Sequence, residues 1–243
     1  MKVMKQAPGP EKGGSSEKSM RRLGFWSALM TALLAAVAFG AGVTTPPRSG
    51  PFCSSSCITY PYTNAASFVP RDYLWMYPGI LLVGIFVVLA ACIHVNVPDD
   101  KKVFSQIALC WAAISAALIT LDYFIQLFVL QPSLLRGETE GLSLFSQYNP
   151  HGIFIAAEDL GYLMMSLAFL FISLAFVKPN GLERAIRWLL LFGSLAAVAA
   201  LIALSLIYGT NLEYRFEVTV LSINWTMLIA AGVLLSFWFK RAE

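Results

Sequence analysis

The sequence predicts an all-α fold, a polytopic membrane protein built as a six-transmembrane-helix bundle. Three observations predict it. Apolar residues make up 58% of the 243 and charged residues only 13%, where an ordinary soluble domain carries about a quarter charged. Six apolar runs approach roughly 20 residues, enough for a helix to cross about 30 Å of hydrocarbon while satisfying its own backbone hydrogen bonds. The basic residues fall on alternate sides of those runs. The strict alternation of a membrane barrel is absent from the sequence. The same composition excludes a disordered chain, a coiled coil and most soluble enzymes.

Residues 1–22 hold Gly, Ser, Pro and Lys with little apolar content and read as a disordered cytoplasmic tail. Residues 23–243 read as the six-span transmembrane domain. The first span covers 23–43 and is followed by Pro46-Pro47. Lys18, Arg21 and Arg22 before it, with Ala36-Val37-Ala38 inside it, also fit a cleaved signal peptide. The long apolar run and the long segment before it favour an uncleaved anchor. The second span covers 73–95 and stops before Pro98; Pro78-Gly79 near its start predicts a kink or the close approach of a neighbour. The third covers 104–130 and is stopped by Pro132. The fourth covers 153–177, with a turn at Pro179-Asn180-Gly181. The fifth covers 188–208; Gly193, Ala196, Ala197, Ala199, Ala200 and Ala203 predict tight packing inside the bundle or against another copy. The sixth covers 218–239.

Charge sets the orientation. Of the 17 Lys and Arg residues, 13 fall on segments that share a side with the N-terminus. Four, Arg48, Arg71, Arg136 and Arg215, fall on the other side. The positive-inside rule therefore places both termini in the cytoplasm. The net charge of +3 is an orientation signal, and no nucleic acid is expected as a partner. Two outer loops, 44–72 and 131–152, are substantial. The first holds Tyr60, Tyr62, Phe68, Tyr73, Trp75 and Tyr77 at or near it, which read as an aromatic belt at the membrane interface or as a docking surface. It also holds Cys53 and Cys57, a disulfide candidate if the exterior is oxidising. Cys92 and Cys110 read as small core residues.

Three carboxylates interrupt apolar spans, where ionised groups are expensive. At 1.5 Å per residue, Asp122 lies ~12 Å below the outer end of span three and Asp159 ~9 Å below that of span four. Glu158 sits beside Asp159. Acids from two antiparallel neighbours thus share a depth in the outer half of the membrane. Gln126 and Ser115 share the helix face of Asp122, and Tyr162 lies at i+4 from Glu158. His151 stands at the outer mouth of span four. Thr219, Ser222 and Thr226 form one stripe of span six, with Asn224 on another face.

These residues predict a polar, outward-facing pocket. Asp122 and Glu158 would bear the charge, and Asp159, Gln126, His151 and Tyr162 would support them. The competing readings are acids that only glue helices together, or acids that face the headgroups. No spacing typical of a metal site, phosphate loop, nucleophile elbow or haem attachment is present, so no metal and no cofactor is expected.

The stretch 121–126, Leu121-Asp122-Tyr123-Phe124-Ile125-Gln126, and then 131–138 from Gln131-Pro132 to Gly137-Glu138, resembles prokaryotic multi-span integral membrane proteins of unknown function. Asp159-Leu160-Gly161-Tyr162 and Met165-Ser166-Leu167-Ala168 add to that resemblance. It implies a bacterial or archaeal cell membrane and assigns no catalytic or binding residue. The leading functional expectation is binding or transport of a small solute, proton or cation at the carboxylate pocket. The alternatives are a non-catalytic subunit of a larger membrane complex or a homo-oligomer, and, behind these, an intramembrane enzyme acting on lipid.

Overall fold

The structure, a computed structural model, describes residues 13–176 and 180–241. Among these residues every regular element is helical: α1 (Gly13–Val43), α2 (Met76–Asn96), α3 (Lys102–Ile125), α4 (Gln131–Arg136), α5 (Ile153–Ala175), α6 (Gly181–Tyr208) and α7 (Tyr214–Arg241), with short 3₁₀ turns between. One π-helical turn, Gln126–Leu130, joins α3 to α4, so these form a single span. Six stretches are then long and apolar enough to cross a membrane, as expected of a multi-pass membrane protein.

The helices form a ring in chain order. α1 packs on α2, α2 on α3, α3 on α5, α5 on α6, α6 on α7, and α7 closes on α1. A further contact between α5 and α7 fills the middle. Lipid offers no hydrophobic drive for helices to associate, so close packing must supply it. α3 buries Ser105, Ala108, Ala112, Ser115, Ile119 and Asp122, a repeat of three and four that makes one continuous seam against α5. α1 closes on α7 where Gly232 lies against Ala28 and Ala32, both buried. α5 buries residues on two sides and is the innermost span; α6 is the least covered.

Several boundaries differ from the sequence expectations. α1 begins at Gly13, so 13–22, expected to be disordered, is helical, with Glu17 and Arg21 paired at 2.7 Å one turn apart. Residues 1–12, with Lys2, Lys5 and Lys12, lie outside the described residues, as do Val177, Lys178 and Pro179. Pro132 does not stop the third span. It sits in the first turn of α4, directly after the π turn, which loosens the hydrogen-bond ladder where the Pro ring removes a donor. The helix ends instead at Gly137, in the left-handed region at φ 76°. α6 starts at Gly181, its first turn capped by the Asn180 side chain, which accepts from the Glu183 N–H at 2.8 Å. α7 starts at Tyr214 rather than at 218. Cys110, expected in the core, is exposed on the bundle exterior.

Segments 44–75 and 137–152 cap one end of the bundle. Asp72 is fully buried there and pairs with Arg48 at 3.0 Å. Tyr148 donates to the same carboxylate at 3.3 Å, and the Arg48 guanidinium lies 4.0 Å over the Phe68 ring. Burial pushes the Tyr148 phenol above its usual range, so it remains a proton donor. Tyr73 and Trp75, expected in an interface belt, are buried as the core of this cap, whereas Tyr60 and Tyr77 are exposed. Cys53 and Cys57 are joined by a disulfide in the same loop.

Candidate functional site

The α3–α5 seam brings Asp122, Glu158 and Asp159 into one electrostatic neighbourhood. Two glycines let the elements close on it. A Cβ at Gly79 of α2 would meet the Tyr123 ring at 2.8 Å, and one at Gly161 of α5 would meet Ile119 at 2.6 Å. Ser115 donates to the Gly161 carbonyl at 2.7 Å, tying α3 to α5 at that point. Pro78-Gly79 therefore serves the approach of a neighbour.

Glu158 is fully buried at the centre. Tyr123 donates to its Oε1. Since that uses the single Tyr123 proton, Tyr162 is the donor in the 3.1 Å contact between the two phenols. The Trp225 indole N–H donates to Tyr162 at 2.7 Å. The result is a one-way chain of donors, Trp225 to Tyr162 to Tyr123 to Glu158, drawn from α7, α5 and α3. One turn deeper, Asn224 of α7 donates to Ser166 of α5 at 2.9 Å and closes a second polar knot.

The remaining oxygen of Glu158 has no hydrogen-bonding donor among the described residues. The Glu158 side chain also adjoins another carboxyl, Glu217 of α7. No basic side chain pairs with Glu217 among the described residues. Two adjoining carboxyls in a low-dielectric setting are not both stable as bare anions; a proton or a cation has to join them.

Glu217 also faces the other way. It lines a cleft of about 400 Å³ at the capped end, between α1 and α7. Its walls include Phe39, Pro46, Arg48, Trp75, Leu221 and Trp225, with Tyr148 from the cap and Tyr214 from the start of α7. None of Asp122, Gln126, Glu158, Asp159, Tyr162 or His151 lines this cleft. Of the carboxylates expected to face an open pocket, Glu158 and Asp122 are buried and Asp159 is half-buried; Glu217 adjoins Glu158 and so links the two regions.

The other expected residues divide. Tyr162 joins the buried chain of donors. Gln126 stands on the Asp122 face as expected, but its amide donates to the Phe145 carbonyl at 2.6 Å and serves the cap. One oxygen of Asp122 and one of Asp159 have no hydrogen-bond partner among the described residues. His151 is exposed, with its backbone N–H held by Asn149 at 3.0 Å, and takes no part in the carboxylate cluster. Ser222 lines the cleft; Thr226 is exposed, so the expected stripe does not stay on one side of the wall. Among the described residues no three His, Cys, Asp or Glu side chains converge as a metal ion requires.

Sequence reasoning missed Glu217, Tyr123 and Trp225. Glu217 fell outside because the sixth span was started at 218. The available signal was periodicity: Glu217, Leu221 and Trp225 lie at i, i+4 and i+8, on one helix face. Compared with known protein families, with curated proteins and with solved structures, the chain finds no match.

Proposed function

We propose that this chain is a multi-pass protein of a cell membrane that binds a small solute or cation in a cleft open to the outer face, with both termini in the cytoplasm. The observation that carries the reading is Glu217, a carboxyl with no basic partner among the described residues, at the wall of a cleft of about 400 Å³. That volume falls in the range of small-molecule sites, which combine apolar walls with a few placed polar groups. The excess of Lys and Arg on alternate segments supports the orientation. The resemblance of 121–138 to prokaryotic proteins supports a bacterial or archaeal membrane.

The test has two parts. A Ser222→Cys variant, with Cys92 and Cys110 replaced by Ala, is exposed in intact cells to a membrane-impermeant thiol reagent. Labelling from outside is expected; labelling only after lysis removes the outward cleft. The purified protein is then screened by thermal shift against inorganic cations, amines, sugars and organic acids. At least one class is expected to raise Tm in the wild type and to fail with Glu217→Gln and with the cleft-filling Ser222→Trp. Carriage across the membrane is read separately, as uptake of that compound into proteoliposomes.

A second reading, a subunit of a larger membrane assembly or a homo-oligomer, draws on α6. That helix leaves Phe192, Leu195, Ile202 and Leu206 uncovered. A stoichiometric partner retained through gentle detergent extraction and seen by native mass spectrometry would favour it.

A further inference from the structure

We infer that the cleft takes an alkylammonium group, the head of either a small quaternary amine or a choline lipid. This deepens the binding reading and rests on it. The inference comes from what the cleft wall still has to offer once its internal bonds are made.

Most polar groups on that wall are already engaged. Arg48 is answered by Asp72 at 3.0 Å. The Ser49 hydroxyl lies 2.5 Å from the Tyr148 carbonyl oxygen and 2.8 Å from the Tyr214 hydroxyl. Tyr214 in turn lies 3.1 Å from the Gln147 carbonyl oxygen. Both hydroxyl protons are taken up within this trio of contacts, so neither is left for the cleft. The Trp75 N–H donates to the Asp72 carbonyl at 3.1 Å and the Trp225 N–H to Tyr162 at 2.7 Å. The two indoles therefore offer the cleft hydrocarbon and π surface, with no donor left over.

The rings meet as a corner and not as a stack. Phe39 and Trp225 are edge-to-face, 5.6 Å apart at 81°. Trp75 and Trp225 are 6.0 Å apart at 57°. All three rings line the cleft, and a cation over a ring face within about 6 Å of its centroid is attracted by it. Glu217 adds a carboxyl that has no basic partner among the described residues. A small inorganic cation needs several oxygen ligands at short range, and among the described residues no three His, Cys, Asp or Glu side chains converge to supply them. A sugar needs many free donors and acceptors; Ser49, Tyr214, Trp75 and Trp225 have committed theirs, which leaves Ser222 and the outer guanidinium nitrogens of Arg48 as the remaining polar groups. A diffuse positive charge clothed in methyl groups matches both the aromatic corner and the single acid.

The experiment measures choline binding to the full chain in nanodiscs of phosphatidylglycerol, by calorimetry. The comparison ligand is 3,3-dimethylbutanol, which keeps the shape of choline without its charge. Choline is expected to bind at least about tenfold more tightly than the neutral alcohol. Glu217→Gln should weaken it at least about tenfold, and Ser222→Trp should abolish it. Discs of phosphatidylcholine separate the two sources. If choline binds equally in both discs, the ammonium is that of a free solute. If phosphatidylcholine suppresses choline binding, and native mass spectrometry finds that lipid retained by wild type but not by Glu217→Gln, it is that of a lipid.

Equal binding of choline and the neutral alcohol overturns the inference. So does choline binding that Glu217→Gln leaves intact, or the lack of both choline binding and lipid retention. When another solute class then gives a Glu217-dependent thermal shift, the wider binding reading survives alone. When no class does and Ser222→Cys is not labelled from outside, both fall.

Discussion

Glu158 and Glu217 are the same side chain in adjoining positions with opposite surroundings. Glu158 lies in the α3–α5 seam, fully buried, with one oxygen fixed by Tyr123 and the phenols and indole behind it. Glu217 lies at the α1–α7 cleft, touching Glu158 on one side and open space on the other. The seam is close-packed because glycine, serine and alanine let helices approach. The cleft stays open because α1 and α7 meet the cap with aromatic and proline residues that do not fill the space between them. Charge within a bundle is thus not enough to make a site. The helix spacing around it decides whether it is structural or can reach a ligand.

The largest expected effect breaks the seam. Tyr123 is fully buried, packed against Trp75 at 5.0 Å and Phe154 at 6.2 Å, and it is the donor to Glu158. Tyr123→Ala should cost about 3–5 kcal/mol in detergent unfolding, while Ser222→Ala in the cleft should change stability by no more than about 0.5 kcal/mol. Equal losses at the two positions would erase the contrast.

A smaller effect tests the cap that roofs the cleft. Arg48→Ala leaves Asp72 buried without its cation and should cost about 2–4 kcal/mol. Adding Asp72→Asn should recover over half of the lost Tm, because the stranded charge is then gone. No recovery in the double variant would mean that Arg48 acts through its packing on Phe68 instead.

The smallest effect sharpens the comparison on one helix. A Cβ at Gly193 of α6 would meet the Met227 sulfur at 2.0 Å, whereas Ala199 of the same helix is exposed. Gly193→Leu should lose about 1–3 kcal/mol and Ala199→Leu should stay within about 0.5 kcal/mol, read as Tm of the purified chain. A loss for Ala199→Leu that appears only in native membranes would mark that face as a contact with a partner.

The seam was legible because it is periodic. Ser115, Asp122 and Gln126 were expected on one face of α3, and the rise per residue put Asp122 and Glu158 at one depth. The structure brings those two acids together. The cleft was not legible, for physical reasons. Its acid sits in the first turn of α7, where an apolar count sees only a polar flank. Its walls come from α1, α7 and two loops remote in sequence, and no period relates Arg48 to Asp72 or Trp75 to Trp225. Tyr123 and Trp225 passed as ordinary apolar residues because the sequence does not show which way a phenol or an indole N–H will turn. Four helices, α1, α3, α6 and α7, start earlier than expected, while α2 starts later, at Met76 rather than 73. Polar caps such as Asn180 and the i, i+4 pair of Glu17 and Arg21 extend helices beyond their apolar runs.

The ring order of the bundle has a consequence for assembly. Each span meets its predecessor as it enters the membrane, so five of the six contacts around the ring can form step by step. The closing contact joins α7 to α1, and those are the helices that frame the cleft. A translation product interrupted before Tyr214 would hold α3 against α5 yet lack one wall of the cleft and its acid. The cleft is therefore a feature of the finished chain alone, formed only once the last span has closed on the first.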